Sequence, residues 1–226
     1  MTLLSARDVV ARPGTSTALR GAWLEVRAGE SVTLLGAPSS GTTTLLLCLA
    51  GLVRPVAGRV VLDGTDLAAL RPQALAAVRL RELGLVFPDG DLLPELSLLE
   101  NVELPLVRAG ATGAEARSRA GDLLDRMLVG AGAGRLPHEV SAGQRQRAAV
   151  ARALVHRPRV VLADEPTGNL DAPQAHAFMD LLVAATRDLG TALVVATRDA
   201  AVAAHTDRAV ELRGGRVRTP EPALLP

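Results

Sequence analysis

Short apolar, β-branched runs alternate with helical patterns along most of this chain, and that alternation restricts the fold more than any other feature. Ser31–Leu35 reads as a buried strand and residues 42–52 as the helix that follows it. Residues 59–62 form a strand closed by the Asp63-Gly64 turn signal, and residues 84–87 another. Two more apolar runs, 160–163 and 191–196, each lead into helical sequence. Strands separated by helices indicate a parallel sheet covered on both faces. Residues 209–217 read as a closing hairpin around Gly214-Gly215. Residues 99–140 hold no convincing strand, while 114–128 place apolar residues at helical spacing. The expectation is therefore one domain over 1–226, with a helical lobe at about 88–157 inserted between two sheet strands. The Gly- and Ala-rich stretch 130–134 reads as a loop, and no internal repeat is seen.

Three strings carry chemistry. The strand at 31–35 runs into Gly36, Ala37, Pro38, Ser39, Ser40, Gly41, Thr42 and Thr43 before the helix. This is the G-x-x-x-x-G-K-S/T frame, with Thr42 where the lysine belongs. Its glycines let backbone N–H groups converge on phosphate at a helix N-terminus, and Thr43 holds the hydroxyl position for Mg²⁺. A glycine-rich turn feeding a helix is an equal reading of that string alone. The strand at 160–163 ends in Asp164 and Glu165, one carboxylate for Mg²⁺ and one to polarise an attacking water. The bland alternative is a solvated turn. Residues 140–154 place Ser141 and its neighbouring amides at the start of a helix that begins near Gly143 and ends before Pro158. A basic amphipathic surface helix is the alternative there.

Residues 140–154 resemble the L-S-G-G-Q-R-Q-R signature of ABC ATPases, and residues 163–171 resemble their A-D-E-P-T-G-N-L-D string. The similarity covers nearly the whole chain. Residues 62–67 and 92–106 resemble the branch serving lipoprotein release and macrolide export. The resemblance implies an α/β fold: a P-loop ABC ATPase core with a small antiparallel β part and an inserted helical lobe. It implies two subunits, paired head to tail on a membrane permease, with ATP and Mg²⁺ between them. Gly36, Ser39, Ser40, Gly41, Thr42, Thr43 and Thr44 would hold the chain's own nucleotide, Thr43 and Asp164 the Mg²⁺, and Glu165 the catalytic position. Ser141, Gly143, Gln144, Asn169 and Asp171 would face the other subunit's ATP.

Four departures from that pattern fall together. Thr42 replaces the P-loop lysine; all 25 basic residues are arginines, so no lysine elsewhere can take its place. Pro88 stands at the Q-loop glutamine, removing a side-chain ligand and an N–H. Arg198 stands where a γ-phosphate-sensing histidine is expected. It could partly replace the missing cation, or pair with Asp199, Glu165 or solvent. Pro13 lies near the place of an adenine-stacking aromatic, in a chain with no tyrosine. A hydrogen bond to a charged group contributes about 1.5–3 kcal/mol, and base stacking about 1–3. Their joint loss weakens nucleotide binding by roughly two to four powers of ten, if independent. A lost transition-state donor slows chemistry by a further ~10²–10³. Ala142, at a position usually Gly, adds a methyl group that could hinder approach to phosphate.

Three functional readings follow. In the first, the chain is an asymmetric subunit lending its signature and D-loop to a partner's intact site. The others are a homodimeric ATPase with an unusual site and a regulatory pseudo-ATPase docked on a permease. The 25 basic and 24 acidic residues balance, so nothing points to nucleic acid. No signal peptide opens the chain, and the longest apolar stretch falls short of the ~20 residues of a spanning helix. The expectation is a cytoplasmic protein that reaches the inner face of the cell membrane through a permease. Cys48, in an apolar run, reads as a core residue in a reducing compartment.

Overall fold

The computed structural model describes residues 1–14 and 17–218. β1 (Thr2–Ala11) and β2 (Leu19–Arg27) pair antiparallel with Ala6 opposite Leu24. Along β2 buried and exposed residues nearly alternate, the period-two pattern of a strand with one face on a core. β3 (Ser31–Leu35) then leaves for a second sheet and α1 (Thr42–Leu49) follows it. β4 (Ala57–Leu62) returns beside β1, Ala6 opposite Val60, and β5 (Thr65–Asp66) completes a four-stranded antiparallel sheet in the order β2-β1-β4-β5.

α2 (Pro72–Glu82) leads into β6 (Leu83–Val86). Three helices come next: α3 (Leu98–Arg108), α4 (Gly113–Arg126) and α5 (Ala142–Leu154). The chain re-enters the sheet at β7 (Val160–Asp164), passes through α6 (Ala172–Asp188) to β8 (Ala192–Thr197), and makes the short α7 (Ala200–Ala203). β9 (Arg208–Arg213) and β10 (Arg216–Arg218) form the terminal hairpin. The second sheet runs β10-β9-β3-β8-β7-β6, parallel except for the β9–β10 pair.

Two apolar cores lie on either side of this sheet. One unites α1, through Leu45, Leu46 and Leu49, with the antiparallel sheet and with Val32, Leu34 and Val194. The other joins α3, α4, α5 and α6 to the opposite face around Phe178, Met179 and Leu193. β7 and β8 are buried along their whole length, which is why both read as unbroken apolar runs. Leu35 is level with Thr197 and Asp164 with Ala196, so the carboxyl ends of β3, β7 and β8 finish along one edge. In an open α/β sheet that edge is where ligands bind.

The α/β core, the antiparallel part and the run of helices between β6 and β7 match the expected fold. The boundaries shift. The helix expected over 42–52 ends at Leu49, because the N–H groups of Leu52 and Val53 both fold back onto Leu47 O (2.9 and 3.1 Å). The strand expected at 84–87 ends at Val86, ahead of Pro88, which has no N–H to continue a ladder. β8 starts at Ala192, since the Thr191 N–H folds back onto Thr186 O (2.9 Å) rather than joining a ladder. Residues 130–132 make a 3-10 turn rather than a simple loop. No helix among the described residues is long and apolar enough to cross a membrane.

Candidate functional site

The loop after β3 is anchored to the neighbouring strand: Gly36 N–H donates to Thr197 O at 3.1 Å. A Cβ on Gly36 would stand 2.3 Å from Ser40 Oγ and 2.7 Å from Thr42 Cγ2, so the loop closes tightly only around glycine. Ser40 N–H donates to Ala37 O (3.0 Å) and Ser39 sits at φ 65. Gly41 begins α1 without a side-chain cap, and the first helical bond is Leu45 N–H to Gly41 O (2.8 Å). The N–H groups of the first turn therefore lack intrahelical partners. Ser40 Oγ is buried with no partner either. The first turn of α1 borders an open cavity of about 420 Å³ lined by Thr17, Ala18, Ser39, Gly41, Thr42, Thr43 and Thr44. Its described lining has several hydroxyls and amides but no cationic side chain and no aromatic ring. It can accept phosphate through backbone donors, without the point charge a lysine would add.

The carboxylate pair meets this loop directly. Thr43 Oγ1 donates to Asp164 Oδ1 at 3.1 Å, and Asp164 is only 5% exposed. Burial pushes the Asp164 carboxyl above the usual range, the Glu165 charge adds to that, and the Thr43 hydrogen bond opposes it. A desolvated carboxylate beside a hydroxyl is a hard-oxygen donor set that suits Mg²⁺. Glu165 is held at φ 42, with its N–H on Ala196 O (2.8 Å) and Oε2 accepting from Thr197 Oγ1 (3.2 Å). Thr197, which sequence reading passed over, thus orients the catalytic candidate and also accepts from Asp199 N–H (3.1 Å). Its only signal in the sequence is a hydroxyl at the end of an apolar strand, next to Arg198.

A test of this acid follows from its environment. The native carboxyl titrates above its unfolded value, so stability falls as pH rises from the ordinary Asp range to the native one. Above the native value the ionised form carries the full desolvation penalty. Asp164→Asn keeps an oxygen for Thr43 and removes the buried charge. It should raise the thermal midpoint of the nucleotide-free chain at pH 7 and abolish any stabilisation by Mg²⁺. Calorimetric melting with and without Mg²⁺ checks both; a lowered midpoint, or a retained Mg²⁺ shift, would count against Asp164 as the metal ligand.

A second group sits at the start of α5. Ser141 is exposed and forms a reciprocal capping box: Gln144 N–H donates to Ser141 Oγ (3.2 Å) and Ser141 N–H to Gln144 Oε1 (3.0 Å). A Cβ on Gly143 would stand 3.5 Å from Gln174 Oε1 and 3.6 Å from Leu170 Cδ2, so this turn lies against the loop before α6. Asp171 caps α6, accepting from Gln174 N–H (2.9 Å) and Nε2 (2.6 Å). Among the described residues no hydrogen bond joins Ser141, Gly143, Gln144 or Asp171 to Thr43, Asp164 or Glu165. By hydrogen bonding the Thr43–Asp164 pair and the start of α5 are separate, while Glu165 borders one small polar space with Ala142 and Asn169. Arg198 is exposed and makes no ion pair among the described residues. Pro88 opens a short 3-10 turn, Pro88–Gly90, that leads toward the lobe.

Residues 19–168, which span the phosphate loop, both carboxylates and the start of α5, match the ABC transporter family. The chain belongs to that family. This ABC subunit is 44% identical over 207 residues to the lipoprotein-releasing system ATP-binding protein LolD of Cereibacter sphaeroides, covering 91% of this chain and 92% of LolD. It is 40% identical over 217 residues to the macrolide export ATP-binding/permease protein MacB of Brucella melitensis, covering 92% of this chain but 33% of MacB. Among solved structures it superposes with a TM-score of 0.88 on the dimeric ATP-binding cassette MJ0796 in a post-hydrolysis state bound to ADP and phosphate. That pair is 34% identical, with 97% of this chain and 98% of the other covered. The family implies binding of ATP and Mg²⁺, and the Thr43–Asp164 pair and the donor-lined loop fit both.

Proposed function

We propose that this ABC ATP-binding subunit acts asymmetrically: its own phosphate loop is impaired, and its signature helix and D-loop serve an ATP held by a different subunit. One contrast carries the reading. The exposed start of α5, with its Ser141–Gln144 capping box, keeps the partner-facing groups, while the cavity at 39–44 has hydroxyls and amides but no side-chain cation. Ser141, Gly143 and Gln144 would then border the partner's phosphates, with Asp171 nearby. In the chain's own site, Mg²⁺ held by Thr43 and Asp164 would neutralise phosphate charge, and Glu165, oriented by Thr197, would polarise water.

LolD and MacB, by their names, release lipoproteins and export macrolides, and MacB unites the ATP-binding part with a permease. By likeness, this chain would dimerise with a second ABC subunit and dock on a membrane permease from the cytoplasmic side. An apolar cleft of about 370 Å³ at the junction of β6 with the lobe suits such docking; Leu83, Leu85, Phe87, Leu93, Leu104 and Pro105 form its walls. An amphipathic helix laid into such a groove buries its apolar face there. A competent homodimeric ATPase is the second reading, favoured by the preserved Thr43–Asp164 and Thr197–Glu165 bonds.

Repair of the loop tests the impaired site. Thr42→Lys should tighten Mg-ATP binding by about ten- to a hundredfold, the value of one hydrogen bond to a charged group. Hydrolysis should recover less, because Pro88 and Arg198 are unchanged. Isothermal titration of the purified chain reads the affinity directly. Micromolar binding and brisk phosphate release by the unmodified chain, or no gain from Thr42→Lys, would refute the impaired-site reading.

A further inference from the structure

Residues 87–93 carry the chain from β6 into the lobe, and α5 pins them at several points. Arg152 donates from Nη1 to Asp91 O (2.8 Å) and from Nη2 to Gly90 O (2.9 Å). Gln146 Nε2 donates to Phe87 O at 3.5 Å. Gly90, at φ 81, lies so close to the helix that a Cβ would stand 3.2 Å from both Arg145 O and Ala149 Cβ. A further tie joins this segment to the D-loop, the stretch just before α6: Asn169 Nδ2 donates to Asp89 Oδ1. Asp89 is held at φ 61, a conformation that costs a non-glycine residue energy and persists only where surroundings enforce it.

The position of Asp89 gives this tie its meaning. It follows Pro88, which offers neither an N–H nor a polar side chain toward the chain's own nucleotide. Asp89, Gln146, Glu165 and Asn169 border one small polar space of about 10 Å³, close to the room one water needs. On both sides of Asp89 the same segment contributes to the apolar cleft, through Phe87 before it and Asp91 and Leu93 after it. Asn169 lies two residues before Asp171, the cap of α6, and Ser141 is the cap of α5. The segment is thus bonded to both elements that bear the partner-facing groups.

We propose that Asp89 is a positioning residue that fastens the D-loop to the lobe–core junction, so that a displacement at the cleft moves Ser141 and Asp171 rather than a ligand of the chain's own γ-phosphate. This rests on the reading that those groups serve a partner's ATP. Packed contacts and hydrogen bonds at both ends let such a strap transmit a shift. Neither Asp89 nor Asn169 is buried, so replacing either should leave the fold intact.

The test uses the transporter complex captured through a tag on this chain, with steady-state ATP turnover as the readout. Asp89→Ala and Asn169→Ala should each lower kcat about tenfold, the size expected for a hydrogen bond to a charged group. KM for ATP should stay within about twofold, as for an interaction made only on the way to the transition state. The double variant should be no worse than either single one. The exchange Asp89→Asn with Asn169→Asp rebuilds the pair with its ends reversed, and should recover most of the rate. Effects that multiply, an exchange without recovery, or full activity in Asp89→Ala would each overturn the proposal. Running the same cycle in a Glu165→Gln background separates it from the asymmetric reading. If Glu165→Gln alone stops turnover, that reading falls, while the coupling of Asp89 to Asn169 in the unmodified background still decides the strap.

Discussion

In the assembled transporter, Ser141→Arg should abolish ATP turnover while Glu165→Gln leaves most of it. Ser141 is exposed at the first turn of α5, so an arginine there projects its bulk outward, into the space a partner's phosphates would occupy. The substitution also breaks the capping box, at a cost of about 1 kcal/mol, too little to unfold a domain. Its effect on rate should instead be that of spoiling a preorganised phosphate site, at least ~10²–10³. Glu165 directly follows Asp164, the partner of Thr43 in the loop that has no lysine, so on the asymmetric reading removing its charge should matter little. A homodimer predicts the reverse, because both of its sites need the Glu165 carboxylate. The measurement is steady-state phosphate release by each single variant beside the unmodified complex. Equal, near-complete loss from both would make the chain's own site catalytic and end the asymmetric reading.

Much of this arrangement was legible in the sequence because its signals are local. β7 and β8 are buried on both faces, so continuous apolar runs announce them, and the phosphate loop and the Asp164-Glu165 pair sit at strand ends where short strings suffice. β1 gave no such notice, since it owes its place to partners on both sides rather than to a pattern of its own. α2 was hidden for another reason: none of its residues is buried, so it carries no apolar stripe to read. Within the site, the sequence reading assigned Thr43 and Asp164 to one Mg²⁺ position, and in the fold the two side chains are hydrogen-bonded to each other. What it could not give were contacts between residues distant in sequence. Asp89 and Asn169 are brought together by the turn after β6 and the loop before α6, and the Thr197–Glu165 bond exists only because β7 and β8 are neighbours in the sheet.

Asn101→Ala should be the most destabilising single change near the cleft, lowering the thermal midpoint by roughly ten degrees. Asn101 lies on α3 with no exposure, and all its polar atoms are used. Its Nδ2 hydrogens are shared among Leu93 O, Leu96 O and Ser97 O, each at 3.0 Å, and Oδ1 accepts from Leu93 N–H at 2.8 Å. One side chain therefore stands in for secondary structure along residues 93–97, a stretch with little of its own. Alanine would strand these backbone groups in a region partly closed to water and leave a void, for about 3–4 kcal/mol in total. In a chain of 226 residues that corresponds to about 2–4 °C per kcal/mol. The damage should reach function, because Leu93 is a wall of the cleft it shares with Leu104 and Pro105 and would no longer be held in place. Calorimetry gives the midpoint, and hydrogen exchange shows where protection is lost: α3 and residues 93–97 should exchange faster, while α1 and the phosphate loop keep their rates. A midpoint within about 2 °C of the unmodified chain, less than the loss of one kcal/mol, would mean that these carbonyls find other donors and that Asn101 does not hold the cleft in shape.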